Sequence, residues 1–238
     1  GSARLALSLA RAGHGGGMVT SLGMLSVAGK VWIQRVHARR AQAWLKWRAS
    51  ARVVRRSTPA FGKVVLRAIT LSTLLWGLDA APLTPRMIRD LEATQTAILR
   101  QASGRGGRRL APDGQHGDWL TSFELRARFG VGSVDTELSR RRLRWLYRSL
   151  SNGVAASLAC LFGQLEGEPS DGPVAHPLLE VLAGDLCALH GLDEGRDAWA
   201  EGWVGRFMAV GLGGIEAFYR ARVLADQGWG TEDYGWLP

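Results

Sequence analysis

The sequence predicts an all-α protein: a helical bundle preceded by an irregular, Gly-rich segment. Apolar residues recur at helical spacing along most of the chain, and residues typical of helix ends flank these stretches. No alternating strand pattern longer than a few residues occurs. With 238 residues, 46% of them hydrophobic, the chain is also long and apolar enough to bury a core.

The first 78 residues are expected to hold an irregular start and two helices. Residues 1–29 are rich in glycine and are expected to be irregular, or to include a strand remnant near Met18 to Val27. A basic amphipathic helix follows, and its apolar face comprises Trp32, Val36, Ala43 and Trp47. Pro59 interrupts it, and a second helix ends at Gly77. The residues predicted to be buried on that helix are Phe61, Val64, Val65, Ala68, Ser72 and Leu75.

The middle of the chain carries the clearest helix boundaries. Thr84 and Pro85 are typical of a helix start, and the apolar positions of that helix are Ile88, Leu91, Ile98 and Leu99. A loop is predicted over residues 103–117. Thr121 and Glu124 then have capping-box spacing for a short helix that stops at Gly130.

Ser133 is expected to cap a fifth helix that ends near Asn152 and Gly153. Its apolar face comprises Ser139, Leu143, Leu146 and Leu150. Beyond it, helices are predicted over residues 154–165, Pro177 to His190, Trp199 to Val210 and Ile215 to Gln227. The predicted organisation is therefore an irregular segment over 1–29, a basic helical region over 30–153 and an acidic helical region over 154–238.

Charge is distributed very unevenly along the chain. Residues 1–78 hold 13 Lys or Arg and no Asp or Glu, whereas residues 151–238 hold 4 basic and 13 acidic residues. The net charge of +9 therefore reflects a basic first part and an acidic remainder. Such a division indicates a polyanion partner for the first part.

The sequence contains none of the common motifs for nucleotide binding, catalysis or zinc binding that were considered. There is no Walker-type phosphate loop and no Asp-Asp dipeptide, and the His14-Gly15-Gly16-Gly17 stretch has no Gly-x-Ser-x-Gly turn downstream. The possible zinc ligands Cys160, His176, Cys187 and His190 match the spacing of no compact zinc module. We therefore expect no catalytic residue, no metal site and no cofactor, and no apolar run reaches the length of a membrane span.

The remaining candidates for function are arginine clusters. The predicted nucleic-acid-binding residues are Arg35, Arg39, Arg40, Arg55, Arg56, Arg105, Arg108, Arg109, Arg140, Arg141, Arg144 and Arg148. Three of them, Arg140, Arg144 and Arg148, form an i, i+4, i+8 stripe on the fifth helix. Nearby tryptophans could offer stacking surfaces, namely Trp32, Trp44, Trp47 and Trp145.

One ordered set of motifs carries a family resemblance. Thr121–Leu125 with Arg128–Val131, followed by Ser139–Leu146, resembles the segment beyond the palm in reverse transcriptases of non-LTR (LINE-type) retrotransposons. There a "Thr-Asn-Glu-Glu-Leu... Gly-Leu" helix precedes an "Arg-Arg-Arg-Leu-Arg-Trp-Leu-Gly-His" helix. Upstream, Leu71–Gly77 is similar to that family's "Pro-x-Leu-Leu-Tyr-Gly", with Trp76 in place of the tyrosine. The resemblance covers about residues 20 to 150.

The resemblance implies the thumb and C-terminal connection of such an enzyme, which grips the template–primer while chemistry occurs elsewhere. The palm motif Tyr-x-Asp-Asp would lie before Gly1, so the chain is expected to be part of a longer protein whose upstream palm domain is a partner. The implied ligand is RNA or an RNA–DNA hybrid, held by non-specific phosphate contacts. An intracellular location, nuclear or cytoplasmic rather than organellar, is expected. The alternative hypothesis is a structural scaffold whose basic and acidic parts dock against each other or against a protein partner.

Overall fold

The structure, a computed structural model, describes residues 25–79, 81, 83–104, 107–110, 116–152, 177–193 and 197–228. Helices dominate these residues, which confirms the predicted all-α class. The helix predicted over residues 154–165 and most of the predicted irregular segment lie outside them.

The helices and strands follow one another in this order. The first part of the chain forms α1 (Leu25–Arg56), α2 (Pro59–Val65), a π-helical segment (Leu66–Leu71) and α3 (Ser72–Leu75). The middle part forms α4 (Pro85–Ala102), β1 (Arg108–Leu110), β2 (His116–Trp119), α5 (Ser122–Phe129) and α6 (Val134–Ser151). The last part forms α7 (Pro177–His190), a short 3₁₀ turn (Asp197–Trp199) and α8 (Trp203–Asp226).

The predicted helix caps of the middle part are confirmed. Thr84 and Ser133 accept from the backbone N–H groups of Met87 and Thr136, at 3.3 and 3.1 Å. The Thr121 and Glu124 pair forms the full capping box at the start of α5. That helix ends at Gly130, whose left-handed backbone (φ 63°) favours glycine.

Three predictions for the first half were wrong. The first helix begins at Leu25, so residues 25–29 are helical rather than irregular. The predicted loop over 103–117 contains β1 and forms a small antiparallel hairpin with β2, in which Arg108 is opposite Trp119. These strands are only three and four residues long, too short to produce a recognisable alternating pattern.

The third error concerns the buried face of the second predicted helix. Phe61, Val64 and Ala68 are exposed, whereas Leu66, Leu71 and Leu74 are buried. In α2 the residue buried against α1 is Gly62, which leaves Phe61 and Val64 on the exposed side. The π-helical segment then makes a wider turn than an α-helix, so the apolar face after Val65 no longer continues the 3.6-residue period, and Ala68 is exposed. At the start of α2, a Cβ on Gly62 would lie only 2.8 Å from the carbonyl oxygen of Val54, so glycine permits the close crossing of α1 and α2.

The buried apolar residues form two clusters. The first cluster contains residues from the helices α1 through α5 and from the beginning of α6, among them Val36, Trp47, Leu91 and Val134. The second joins the later part of α6, through Leu143 and Leu146, to α7, the 3₁₀ turn and α8. Helix α6 therefore belongs to both clusters, and the acidic part of the chain packs directly onto the helix that carries the arginine stripe. The predicted boundary at residues 153–154 lies outside the described residues.

Helix α8 is bent within its length. Gly211 has φ 64° and ψ 175°, which interrupts the helix between the two apolar stretches that the sequence predicts as separate helices. Phe207 lies on one side of the interruption and Ile215 on the other, and both are fully buried in the second cluster. The bend thus allows both halves of α8 to pack against the same core.

Candidate nucleic-acid interface

The described part of the first 78 residues forms a surface without acidic groups, which we call the basic face (α1 to α3). Among its described Lys and Arg side chains, the exposed ones are Arg35, Lys46, Arg48, Arg52, Arg55, Arg56 and Arg67. Arg40 is the one basic residue here that lies within salt-bridge distance of a described carboxylate, 3.8 Å from Asp90. The positive charge of this face is therefore largely unneutralised.

An exposed arginine stripe runs along α1. Arg48, Arg52 and Arg56 are spaced by four residues, so they lie on one side of the helix. Arg48 was not among the residues considered for binding, although its spacing from Arg52 matches that of the stripe on the fifth predicted helix. The same pattern could have identified it.

Other predicted residues of the basic face are partly engaged within the protein. Arg40 donates from Nε to the Thr94 hydroxyl at 2.9 Å, in addition to its contact with Asp90, so it faces α4. Arg55 donates to the carbonyl of Gln101 at 3.2 Å but remains exposed. Arg35 stacks on Trp32, 4.6 Å from the ring centroid. Arg56 is exposed and forms no such contact in the part of the chain that the structure describes.

Arg39 lines a cleft at the end of α3. The cleft has a volume of about 200 Å³, and its other lining residues are Ser72, Thr73 and Trp76. Arg39 donates to the side-chain oxygen of Gln42 at 2.8 Å and is half-buried. Trp76 is 65% exposed. The cleft thus brings a cation and an aromatic ring together on the basic face.

The β1–β2 hairpin presents a second cationic and aromatic group. The guanidinium of Arg108 lies 4.5 Å from the centroid of the Trp119 ring, and that of Arg100 lies 5.8 Å away. Arg109 donates twice to Glu124, at 3.1 and 2.6 Å, so its charge is paired. Arg105 lies outside the described residues. Of the predicted hairpin arginines, Arg108 is therefore the one placed without a carboxylate partner.

The predicted stripe on α6 is covered at two of its three positions. A single carboxylate, Glu216 of α8, accepts from Arg140 at 2.8 to 3.1 Å and from Arg144 at 2.9 Å. Partial burial acts to raise the pKa of Glu216, but the hydrogen bond and charge of Arg140, and then Arg144, outweigh it, and its pKa lies below the usual range. Glu216 therefore occupies the position between the two arginines that a phosphate would need. Arg148 is exposed.

A buried ion pair joins the same helix to α7. Arg142 is 4% exposed, and its Nε and terminal nitrogen donate to the two oxygens of Asp185 at 2.5 and 3.1 Å. At the beginning of α6, Asp135 pairs with Arg222 of α8 at 3.0 Å. The acidic part is thus attached to the arginine-rich helix by several ion pairs that join residues distant in sequence.

Arg141 lies in a groove between α6 and the π-helical segment. The groove has a volume of about 320 Å³, and its charged lining residues are Arg67, Glu137, Arg140 and Arg141. Glu137 accepts from the hydroxyl of Tyr219 at 2.5 Å, and burial followed by the Glu137 charge raises the pKa of that tyrosine well above its usual value. The carboxylate is therefore already engaged, and the groove contains both signs of charge.

The tryptophans predicted as stacking surfaces are mostly unsuitable. Trp47 is fully buried and donates from its indole nitrogen to Gln101 at 2.7 Å, and Trp32 and Trp44 are half-buried. The most exposed tryptophans that the structure describes are instead Trp76 and Trp119. No signal in the helical pattern marks Trp119, whereas Trp76 lies where the predicted second helix ends.

Two further properties of the described residues bear on chemistry. They contain no group of three or more His, Cys, Asp or Glu side chains that could hold a metal ion. Of the four possible zinc ligands, Cys160 and His176 lie outside them, and Cys187 is buried. No helix in this part of the chain is long and apolar enough to cross a membrane.

Comparison with protein-family models, with curated proteins and with solved structures finds no match to this chain.

Proposed function

We propose that this chain is a nucleic-acid-binding helical unit that holds an RNA–DNA hybrid or RNA duplex through the basic face of α1 to α3. The observation that carries this proposal is the exposed, carboxylate-free surface of α1, with Arg48, Arg52 and Arg56 on one side. Arginine is suited to phosphate because its planar guanidinium can donate two parallel hydrogen bonds. The motif resemblance to the thumb of non-LTR reverse transcriptases agrees with this role, with catalysis left to an upstream palm domain.

Binding of this kind is non-specific and depends steeply on salt. Each phosphate neutralised by an arginine contributes about 0.9 to the slope of log affinity against log salt concentration. If Arg35 and the three arginines of the stripe each contact one phosphate, the expected slope is about −3.6. Arg140 and Arg144 are left out of this estimate because both already bind the carboxylate of Glu216.

Fluorescence anisotropy with a labelled RNA–DNA hybrid tests the proposal. The wild-type chain and the double variant Arg48→Gln/Arg52→Gln are titrated at several salt concentrations, beginning near 50 mM, where phosphate contacts are strong. The variant should lose about 1.8 from the magnitude of the slope, because two contacts are removed. Both side chains are exposed, so folding should be unaffected.

The matched control is Arg206→Gln/Arg220→Gln on α8, which removes the same charge from exposed positions on the acidic part. It should leave the slope unchanged. Equal losses in both double variants would mean that only the net charge matters, and a wild-type chain that binds no hybrid near 50 mM salt would refute the proposal.

A scaffold remains the second candidate function, and the ion pairs between α6 and the acidic helices favour it. Arg140, Arg142 and Arg144 all bind carboxylates of α7 or α8, so the basic and acidic parts are docked within one chain. In a scaffold the exposed apolar residues Phe61 and Val64, which are adjacent on α2, would contact a protein partner. Loss of partner binding in Phe61→Ser/Val64→Ser, together with absence of hybrid binding in the wild-type chain, would support the scaffold instead.

A further inference from the structure

We propose that the cleft formed by Trp76, Arg39, Ser72 and Thr73 holds one unpaired nucleotide, with its base stacked on Trp76 and its phosphate on Arg39. This inference rests on the proposed function, because it assigns a single-stranded subsite to the same basic face. It adds a preference for nucleic acid in which a paired region is followed by an unpaired one.

The indole of Trp76 is available for stacking. Its side chain is 65% exposed, and in the part of the chain that the structure describes it forms no contact with another ring or a guanidinium. Trp119, the other strongly exposed tryptophan, already has Arg108 over its ring. Trp76 also ends α3 with an extended backbone, and Gly77 turns the chain directly after it. The ring therefore lies at a corner of the surface rather than within a helix face.

Arg39 supplies the positive charge beside this ring. It reaches the cleft from α1, and one of its terminal nitrogens lies 3.9 Å from the place that a Cβ on Gly77 would occupy. It has no salt-bridge partner among the described carboxylates, and its other terminal nitrogen donates to Gln42. A guanidinium with free donors is therefore held near an exposed indole, which is the combination that single-stranded nucleic acid uses.

The hydroxyl groups of Ser72 and Thr73, which line the rest of the cleft, favour a base that carries N–H donors. Thr73 donates to the carbonyl of Ile69 at 2.6 Å, and Ser72 donates to the carbonyl of Ala68. Since these protons are used inside the helix, the hydroxyl groups of these two lining residues can serve a ligand as acceptors. Amino and imino groups of a base can donate to such oxygens, whereas phosphate oxygens cannot.

The size of the cleft limits the ligand. Its volume is about 200 Å³. Sites that enclose whole drug-sized ligands measure about 300 to 1,000 Å³, so this cleft suits a single base rather than a duplex end or a folded peptide. The absence of acidic residues on α1 to α3 also disfavours a cationic ligand and favours an anionic one.

The experiment compares two labelled probes on the full chain: a blunt RNA–DNA hybrid and the same hybrid with a single-stranded extension of several nucleotides. The wild-type chain should bind the extended probe about 5- to 150-fold more tightly, which is the range expected for one base stacked on an aromatic side chain. Trp76→Ala should remove this difference and leave the affinity for the blunt hybrid unchanged, and Trp76→Phe should retain most of it.

Trp145→Ala is the matched control, because Trp145 is also an exposed tryptophan but lies on α6, outside the basic face. It should leave the ratio of the two affinities at the wild-type value. The thermal midpoint of Trp76→Ala should stay within about 2 °C of wild type, since its side chain is mostly exposed.

The outcomes separate the two proposals. A wild-type chain that binds both probes equally, or a Trp76→Ala variant that keeps the wild-type ratio, overturns the cleft assignment and leaves duplex binding in place. A wild-type chain that binds neither probe overturns the proposed function itself. Loss of affinity for both probes in Trp76→Ala, with a normal thermal midpoint, also overturns the cleft assignment, because it makes Trp76 part of the duplex contact.

Discussion

Replacing Asp185 by alanine tests whether the acidic part is fastened to α6 as the structure describes. Asp185 is the partner of Arg142, and their side chains are only 7% and 5% exposed. The substitution leaves the guanidinium buried without its carboxylate. Removing one member of a buried pair typically costs about 3 to 5 kcal/mol, mainly because the remaining charge is desolvated and unpaired.

The local geometry lowers the bottom of that range. Asp135 also approaches Arg142, at 3.9 Å, and can compensate in part. Its side chain is 53% exposed, so its contribution is expected to be at most about 1 kcal/mol. The expected loss for Asp185→Ala is therefore about 2 to 5 kcal/mol. For a chain of this size each kcal/mol lowers the thermal midpoint by about 2 to 4 °C, which gives a decrease of about 4 to 20 °C.

Urea unfolding followed by far-ultraviolet circular dichroism measures the free energy of unfolding, and Arg142→Met/Asp185→Leu is the companion variant. Because both charges are removed together, the double variant should lie within about 1 kcal/mol of wild type or be more stable. A free energy for Asp185→Ala within about 0.5 kcal/mol of wild type would refute the buried pair, since exposed substitutions have effects of that size. Additive effects of the single variants Arg142→Met and Asp185→Leu in that double variant would refute it equally.

Three further outcomes are expected. Glu216→Gln should free Arg140 and Arg144, so the salt slope of hybrid binding should steepen by up to about 1.8 in anisotropy titrations. Thr121→Ala should lower the free energy of urea unfolding by about 1 kcal/mol, because it removes the cap of α5, whereas Thr121→Ser should not. The pKa of Glu216 and that of Glu124 are lowered in the folded chain, by Arg140 for the first and by the Thr121 backbone N–H for the second. The contribution of these two carboxylates to the free energy of unfolding should be complete above pH about 4.5 and should decline as the pH falls through their lowered pKa values. When unfolding is measured as a function of pH, the variant Glu216→Gln should show a weaker decline.

The helix boundaries of the middle part could be predicted because their causes are local. A cap such as Thr121 interacts with Glu124 three residues away, and Gly130 is favoured by its own backbone angle. The apolar face of α1 was also predicted correctly, because it keeps one helical period from Val36 to Trp47. Where the period changes, as in the π-helical segment after Val65, the same reasoning gave the wrong buried residues.

The surroundings of the arginines could not be predicted in the same way. Arg140 and Glu216 are separated by 76 positions, and nothing in the spacing of the α6 stripe indicates that α8 will cover it. The stripe on α1, with Arg48 and Arg52, has the same spacing but meets no carboxylate among the described residues. The same spacing of arginines therefore leads to paired side chains on α6 and, within the described part of the chain, to unpaired ones on α1, and the tertiary contacts alone make the difference.

This difference between the two stripes indicates where the positive charge of the described residues is left without carboxylate partners. The acidic helices α7 and α8 neutralise arginines of α6, through Glu216 and Asp185, and do not extend that neutralisation to the described arginines of α1. Because interactions between exposed charges are largely screened beyond about 8 Å at physiological salt, a carboxylate that pairs on α6 contributes little to the potential at a distant helix. The positive potential that a polyanion would encounter is thus concentrated on α1 to α3, where Trp76 also lies. The chain can therefore contain an acidic part and still present a basic surface, as long as Glu216 and Asp185 stay paired with the arginines of α6.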